Sequence, residues 1–369
     1  MRRKILILGL GGLLVCSGSL WAQERQGDQL QPLPDEANTR VATRAANFLS
    51  IGVGARAQAL GGAGTVMSDG VHALYWNTAS ISRIEGFSAG MSYTPLYGNS
   101  GIDHLFIGTT LPFLNGALGL SLISLTSGDI PRTSERIVSG TNPVLGPTFE
   151  WRSTAIGVHY AAMITDRMAL GGAIKFISEG IDGAKADWVG GDLSVHFVTG
   201  LWGTTLAASL LNVGSESNFE GDLVEVNISA ADEIFPTQED VRVGASTRAL
   251  QLPTVFHFAV KTDLTGTPDA LFGTDPRHRV TAVGELADAI DDAIQPSFGF
   301  EYSYNNFVFA RAGKRWFNHD RAGWETSDGL SFGGGVRVPV AGRHLAFDYA
   351  YTGFGLLDNV QVFSFEYGF

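Results

Sequence analysis

From about residue 86 to its end, the chain alternates large apolar residues with small or polar ones at a period of two. Between His344 and Tyr351, Leu345, Phe347, Tyr349 and Tyr351 share one face; His344, Ala346, Asp348 and Ala350 share the other. At the end of the chain Phe363, Phe365, Tyr367 and Phe369 oppose Ser364, Glu366 and Gly368. Leu193, Val195 and Phe197 oppose Asp192, Ser194 and His196, and Phe256, Phe258 and Val260 oppose His257, Ala259 and Lys261. Such a period marks strands with two unlike faces. It predicts fourteen strands, near 86–96, 102–112, 115–127, 149–164, 167–180, 186–199, 203–214, 252–264, 277–288, 295–305, 306–317, 328–339, 343–352 and 360–369. Short joins, such as Phe113-Leu114, Leu201-Trp202, Asn305-Asn306 and Ala341-Gly342, alternate with the longer segments 128–148, 215–251 and 318–327. The segment 265–276 is long where the alternation calls for a short join.

A soluble sandwich also alternates. Here, however, the polar faces carry Gly, Ala, Ser and isolated charges instead of a dense hydrated surface. An even strand count, with short turns at one end and long loops at the other, is the signature of an outer-membrane barrel. The expected fold is therefore all-β: a 14-stranded antiparallel transmembrane outer-membrane β-barrel. Composition agrees, with 47 glycines, 44% hydrophobic and only 17% charged residues. Ordinary soluble domains carry roughly 25% charged residues. No stretch after the first segment is long and apolar enough for a membrane-spanning helix. The formal charge of −12 argues against a nucleic-acid partner. The single cysteine excludes a disulfide framework and a Cys-based zinc site.

Arg2, Arg3 and Lys4 precede an apolar run, and Leu20-Trp21-Ala22 follows, the pattern of a secretory signal cleaved after Ala22. The domain reading is a signal peptide over 1–22, a flexible leader over 23–46, a plug over 47–85 and the barrel over 86–369. The plug assignment rests on Phe48, Leu49 and Ile51, with Leu60, Tyr75 and Trp76. These apolar residues lie in a Gly/Ala-rich segment without strand alternation, and burial in the lumen would satisfy them.

Inward positions carry Lys175, Asp192, His196, Glu301, Arg311 and Asp348, besides His159, His257, Lys261 and Arg337. Both signs occur, so charge pairs filling a lumen are expected, not a single-sign selectivity ring. Glu301 and Arg311 flank the Asn305-Asn306 join, and an odd-numbered hairpin loop would face both inward, opposite each other or one diagonal apart. Loop 215–251 mixes many carboxylates with Phe219, Leu223, Ile234 and Phe235, a composition suited to holding a partner. Trp151, Tyr160, Trp188, Trp202 and Trp316 suit interfacial girdles. The eight histidines are scattered and no nucleophile–base set stands out, so no enzyme is expected. The Gly52–Gly64 run lacks the Lys-Ser/Thr of a phosphate loop, and the acidic loop lacks EF-hand spacing. No cofactor or metal is expected.

The run Asn47 to Gly64, followed by Ala73-Leu-Tyr-Trp-Asn77-Thr-Ala79, resembles the N-terminal signature of the PorV/PorQ family. Leu211-Asn-Val-Gly214, Gly299-Phe-Glu-Tyr302, Arg311-Ala-Gly313 and Asp348-Tyr-Ala-Tyr351 follow in the same order. One departure is Asn77-Thr78-Ala79-Ser80, where the family usually has Asn-Pro-Ala-Gly. The resemblance implies a FadL-like barrel with an N-terminal plug. It also implies an accessory or shuttle subunit of type IX secretion that binds a translocon and client C-terminal domains. The FadL likeness implies the alternative of a channel for hydrophobic small molecules such as long-chain fatty acids. A structural anchor for surface proteins is a third expectation. The aromatic row Phe365, Tyr367 and Phe369 resembles the terminal signal read by the barrel-assembly machinery, which with outer-membrane lipid would be a further partner.

Overall fold

The computed structural model describes residues 43–98, 100–131, 148–221, 225–228, 241–244, 247–316, 329–340, 342–353 and 359–368, with backbone alone for 225–228 and 241–244. Fourteen antiparallel strands close on themselves. They are β1 Ser88–Leu96, β2 Ile102–Phe113, β3 Gly116–Thr126, β4 Trp151–Met163, β5 Met168–Ile181, β6 Ala184–Val198 and β7 Thr204–Gly214. The second half comprises β8 Val255–Thr265, β9 His278–Ala289, β10 Gln295–Tyr304, β11 Val308–Arg315, β12 Leu330–Val340, β13 Arg343–Gly353 and β14 Asn359–Gly368. Each strand pairs with its chain neighbours, and β1 pairs with β14 through partners such as Tyr93 and Phe363. Closure leaves no sheet edge to be satisfied in lipid.

Ile107, Leu111, Ile156, Ile174, Phe176 and Phe256 are exposed on the outer face. Serines, small residues and single charges are buried on the inner one. The outer band faces hydrocarbon, where large apolar side chains carry no hydration cost. The segment 266–277 is a structured connection at the short-turn end, folded back by bonds from Leu271 N–H to Asp263 O and Phe272 N–H to Leu264 O. Short-turn ends are periplasmic in barrels of this kind.

Residues 43–85 line the interior with short helical turns instead of strands, including α1 Ala55–Ala59 and α2 Ala73–Trp76. Residues 43–46, expected as the end of a leader over 23–46, are instead held against the wall. Ala45 N–H bonds Gln251 O, and Ala46 N–H donates to Glu179 at 3.0 Å, near the long-loop end. From there the plug descends to Ser82 and Arg83, which meet Met163 close to the short-turn end, before β1 begins. Phe48, Leu49, Val71, Leu74, Trp76 and Ile81 pack with Phe106, Ile123, Ile177 and Trp188 of the wall in one apolar cluster.

Two of the expected girdle residues are not in a girdle. Trp188 is buried, T-shaped against Phe219, and its Nε1–H bonds Leu250 O at 3.0 Å. It shares the inward parity of Asp192 and Ser194, so the alternation overrules its aromatic preference for an interface. Trp151 likewise has inward parity and donates to the buried Ser153 hydroxyl. Tyr160, Trp202 and Trp316 are exposed.

Candidate functional site

The plug leaves many backbone N–H groups without a ladder or helix partner, and each must find an acceptor once buried. The wall supplies them through inward carboxylates and hydroxyls. Glu285 accepts from Thr65 N–H at 3.0 Å and Thr65 hydroxyl at 2.9 Å. Glu366 accepts from Val71 N–H at 3.0 Å and contacts His72 Nδ1 at 3.1 Å. Ser364 and Ser92 hydroxyls accept from Ala55 and Gly54 N–H. Burial disfavours the His72 imidazolium, but the bond to Glu366 and its negative charge override this and hold the His72 pKa above its ordinary value.

A charge network ties plug to wall. Arg56 of α1 makes a bidentate pair with Glu301, at 2.8 and 2.7 Å, and donates to Asp69 at 2.8 Å. Arg311, 2% exposed at its side chain, donates to Glu301 at 2.6 Å and to Asp348 at 2.5 Å. The hairpin loop between β10 and β11 holds three residues, and Glu301 sits directly opposite Arg311 in the register. Three of the expected lumen residues, Glu301, Arg311 and Asp348, are thus brought together.

Lys175 and Asp192 form a separate pair, 2.7 Å apart. It fills a break in the β6–β7 ladder at Gly191 to Leu193, where Asn212 has a φ of 59°. Asp192 accepts from Asn212 N–H, and Lys175 donates to the Asn212 side chain, so the pair satisfies groups the ladder leaves open. His196 is half-buried and belongs to neither cluster.

Phe48 and Leu49 are buried, and Ile51 is half-buried between two apolar clusters. Asn77 caps the turn that follows it by accepting from Ala79 N–H, and it donates to Val195 O. In the long loop, Phe219 folds back onto Trp188. Leu223, Ile234 and Phe235 lie outside the described residues, as does Phe369. Phe365 is exposed and Tyr367 half-exposed on the outer face. Sequence reasoning did not single out Arg56, Glu179, Glu285 or Arg315. For the two glutamates the available signal was inward parity, shared with Lys175 and Val283.

On the β8–β11 side the plug does not fill the lumen. A cavity of about 390 Å³ lies between Leu49, Tyr75 and Trp76 of the plug and Val255, His257 and Ala287 of the wall, with Glu285, Asp291 and Asp292 on its polar side. A second, of about 110 Å³, is lined by Ile51, Leu96, Val360 and Val362. Arg315 borders both. Its Nε–H bonds Gly61 O at 3.0 Å, and among the described residues no carboxylate lies within ion-pair distance of it.

No protein-family model and no curated protein matches the chain. Among solved structures it is similar to the Pseudomonas putida toluene transporter TodX, with 13% identity over 86% of this chain and 96% of that one, at a TM-score of 0.50. It is similar also to the Ralstonia pickettii toluene transporter TbuX, with 12% identity over 86% and 98% of the two chains and a TM-score of 0.53. The CymD monoaromatic hydrocarbon channel gives 11% identity, 86% and 98% coverage and a TM-score of 0.50. At such identities the likeness is one of fold, that of a FadL-like outer-membrane barrel.

Proposed function

We propose that this barrel is an outer-membrane channel for hydrophobic small molecules, and that its cargo combines an apolar body with an acidic head, as a long-chain fatty acid does. The observation that carries the reading is the cavity beside the plug. Leu49, Tyr75 and Trp76 give it an apolar wall, and Arg315 stands at its junction with the second, apolar cavity. Half of the lining residues are apolar; the polar half sets Arg315, its single guanidinium, among Glu285, Asp291 and Asp292, so an apolar body fits the first and an acceptor-bearing head meets Arg315 in the second. The fold shared with hydrocarbon transporters supports passage of apolar cargo in general. Arg315 is the group that would bind an acid in preference to a neutral hydrocarbon, against the charge of Glu285, Asp291 and Asp292 in the same lining. The test is uptake in cells lacking other channels of this kind. Arg315→Leu should depress uptake of a long-chain fatty acid and leave uptake of toluene unchanged. Equal loss of both would remove the role of Arg315, and no uptake of either by the wild type would remove the channel.

A second reading, the PorV-like secretion accessory, is favoured by the ordered motifs from Asn47 to Tyr351 and by the density of bonds holding the plug. In that case, secretion of surface proteins would fall on shortening 219–235, with fatty-acid uptake unaffected. A structural anchor for surface proteins would instead lose their attachment and not their secretion.

A further inference from the structure

The turns at the periplasmic end carry large apolar residues at their tips. Leu114 is 80% exposed, Trp202 61% and Phe272 74%. Ile164, Leu201 and Phe307 are exposed on the same end. Each belongs to a connection at that end, so the residues are spread around the barrel and not gathered on one flank.

Two of these tips pay a backbone cost to be there. Leu114 and Trp202 both have a φ of 51°, in the left-handed region that Gly, Asn and Asp occupy with least strain. At the opposite end the β5–β6 turn meets the same demand with Asp182 and Gly183, at φ values of 44° and 90°. The short-turn end also meets it with Asn305 and Asn306, at 52° and 51°, and the opposite end with Tyr97 at 54°, so what marks Leu114 and Trp202 is their exposure together with that conformation. A turn standing in water has no use for Leu or Trp at such a position.

The apolar tips also continue the lipid-facing band without a gap. Leu111 and Phe113 lead into Leu114, Tyr160 into Ile164, and Phe197 into Leu201 and Trp202. Charged groups of both signs sit beside them, Asp166 and Arg167 next to Ile164, and Asp275 and Arg277 beyond Phe272. An apolar ring bordered by charged groups, with Arg167 and Arg277 able to meet phosphates, suits a phospholipid interface with acyl chains below and headgroups above.

We propose that the periplasmic turns are embedded in the inner leaflet of the outer membrane, so that the lipid contact extends past the strand ends and over the turn tips. A partner protein would be expected to favour one flank, whereas lipid surrounds the barrel. The inference rests on the fold and not on the cargo proposed above.

The experiment uses the full chain in vesicles of phosphatidylethanolamine and phosphatidylglycerol at high lipid excess, where no other protein is present. Emission of wild type and Trp202→Asn is compared, so that the difference isolates Trp202. That component should lose most of its intensity in vesicles of brominated lipid and resist aqueous iodide. Quenching by iodide and not by bromine would overturn the proposal. Should Trp202→Asn fail to assemble, a spin label answers the same question. It is placed at Phe272→Cys or, for reference, at Asp182→Cys, each in a Cys16→Ser background. The label at 272 should collide more often with oxygen than with a water-soluble nickel chelate, the reverse of the label at 182. Equal nickel access at 182 and 272 would sink the idea.

Discussion

The plug meets the wall in two different ways. Against β10–β13 the contact is close and polar: α1 and Leu60-Gly61 lie directly on the strands, with Arg56, Glu301, Arg311 and Asp348 linked beside them. A Cβ added at Gly313 would lie 2.2 Å from the Leu60 carbonyl carbon and 2.3 Å from Gly61 nitrogen. Gly61 itself, at φ +73°, would bring a Cβ to 2.7 Å from the Lys314 backbone. Backbone touches backbone, and only glycine permits that approach. Against the upper parts of β8 and β9 the same plug presents Leu49, Tyr75 and Trp76 to open space. The contrast teaches that the plug is seated backbone on backbone against β10–β13 and, at the upper ends of β8 and β9, stands off the wall across a cavity. A movement that enlarged the path would therefore meet least resistance on the cavity side.

The largest effect should follow from removing the seated region altogether. Deleting 47–64 takes away Phe48, Leu49 and all of α1, and it should convert a barrel of low conductance into an open pore in planar bilayers. A full-length protein that already conducts like an open porin would contradict the plug's role.

Breaking the charge network comes next. Glu301→Leu leaves two guanidinium groups without their shared carboxylate, and losing one partner of a buried pair costs about 3–5 kcal/mol. Glu301→Leu combined with Arg311→Leu should cost less than the sum of the two single changes. Urea unfolding of the four proteins in a double-mutant cycle measures this, and additive costs would mean the residues do not interact.

Gly313→Val tests the close approach. Overpacking of this kind costs typically about 1–3 kcal/mol, and here it should also loosen the plug, seen as faster proteolysis within 54–62. By contrast Ser297→Leu, on the cavity side, should change stability little and lower uptake of the cargo by filling its space. Equal destabilisation by the two substitutions would erase the difference between the sides.

The smallest effect concerns pH. Because the His72 pKa is raised in the folded protein, its contact with Glu366 stabilises fully below the unfolded value, near about 6.5. That contribution is lost as pH rises through the raised value. Protease access to 66–75 should therefore increase on going from mildly acid to alkaline pH, and His72→Gln should flatten the dependence.

Much of this architecture was legible from residue order, and Trp188 shows both the strength and the limit of that. Parity alone places it inward beside Asp192, and only a preference for aromatic girdles suggested otherwise. Glu301 and Arg311 were readable as neighbours because a hairpin relates them through a turn of three residues. Arg56 was not readable, because its carboxylate lies 245 positions away in the chain. The same holds for Thr65 with Glu285 and for Val71 with Glu366. The alternation stops before residue 86, and a Gly/Ala-rich segment without a period carries no instruction about which wall it faces.

The sequence by itself determined the strands, their two faces, their number and most of the alternation of short and long joins, because a period of two is a local property that each strand states for itself. Tertiary structure decided what the interior does. Closing the barrel seats α1 against β10–β13 and leaves only the upper parts of β8 and β9 facing a cavity, and that division exists only once strands far apart in the chain share one lumen. Which carboxylate receives which plug N–H, and which cavities Arg315 borders, follow from that closure and from no shorter stretch of chain.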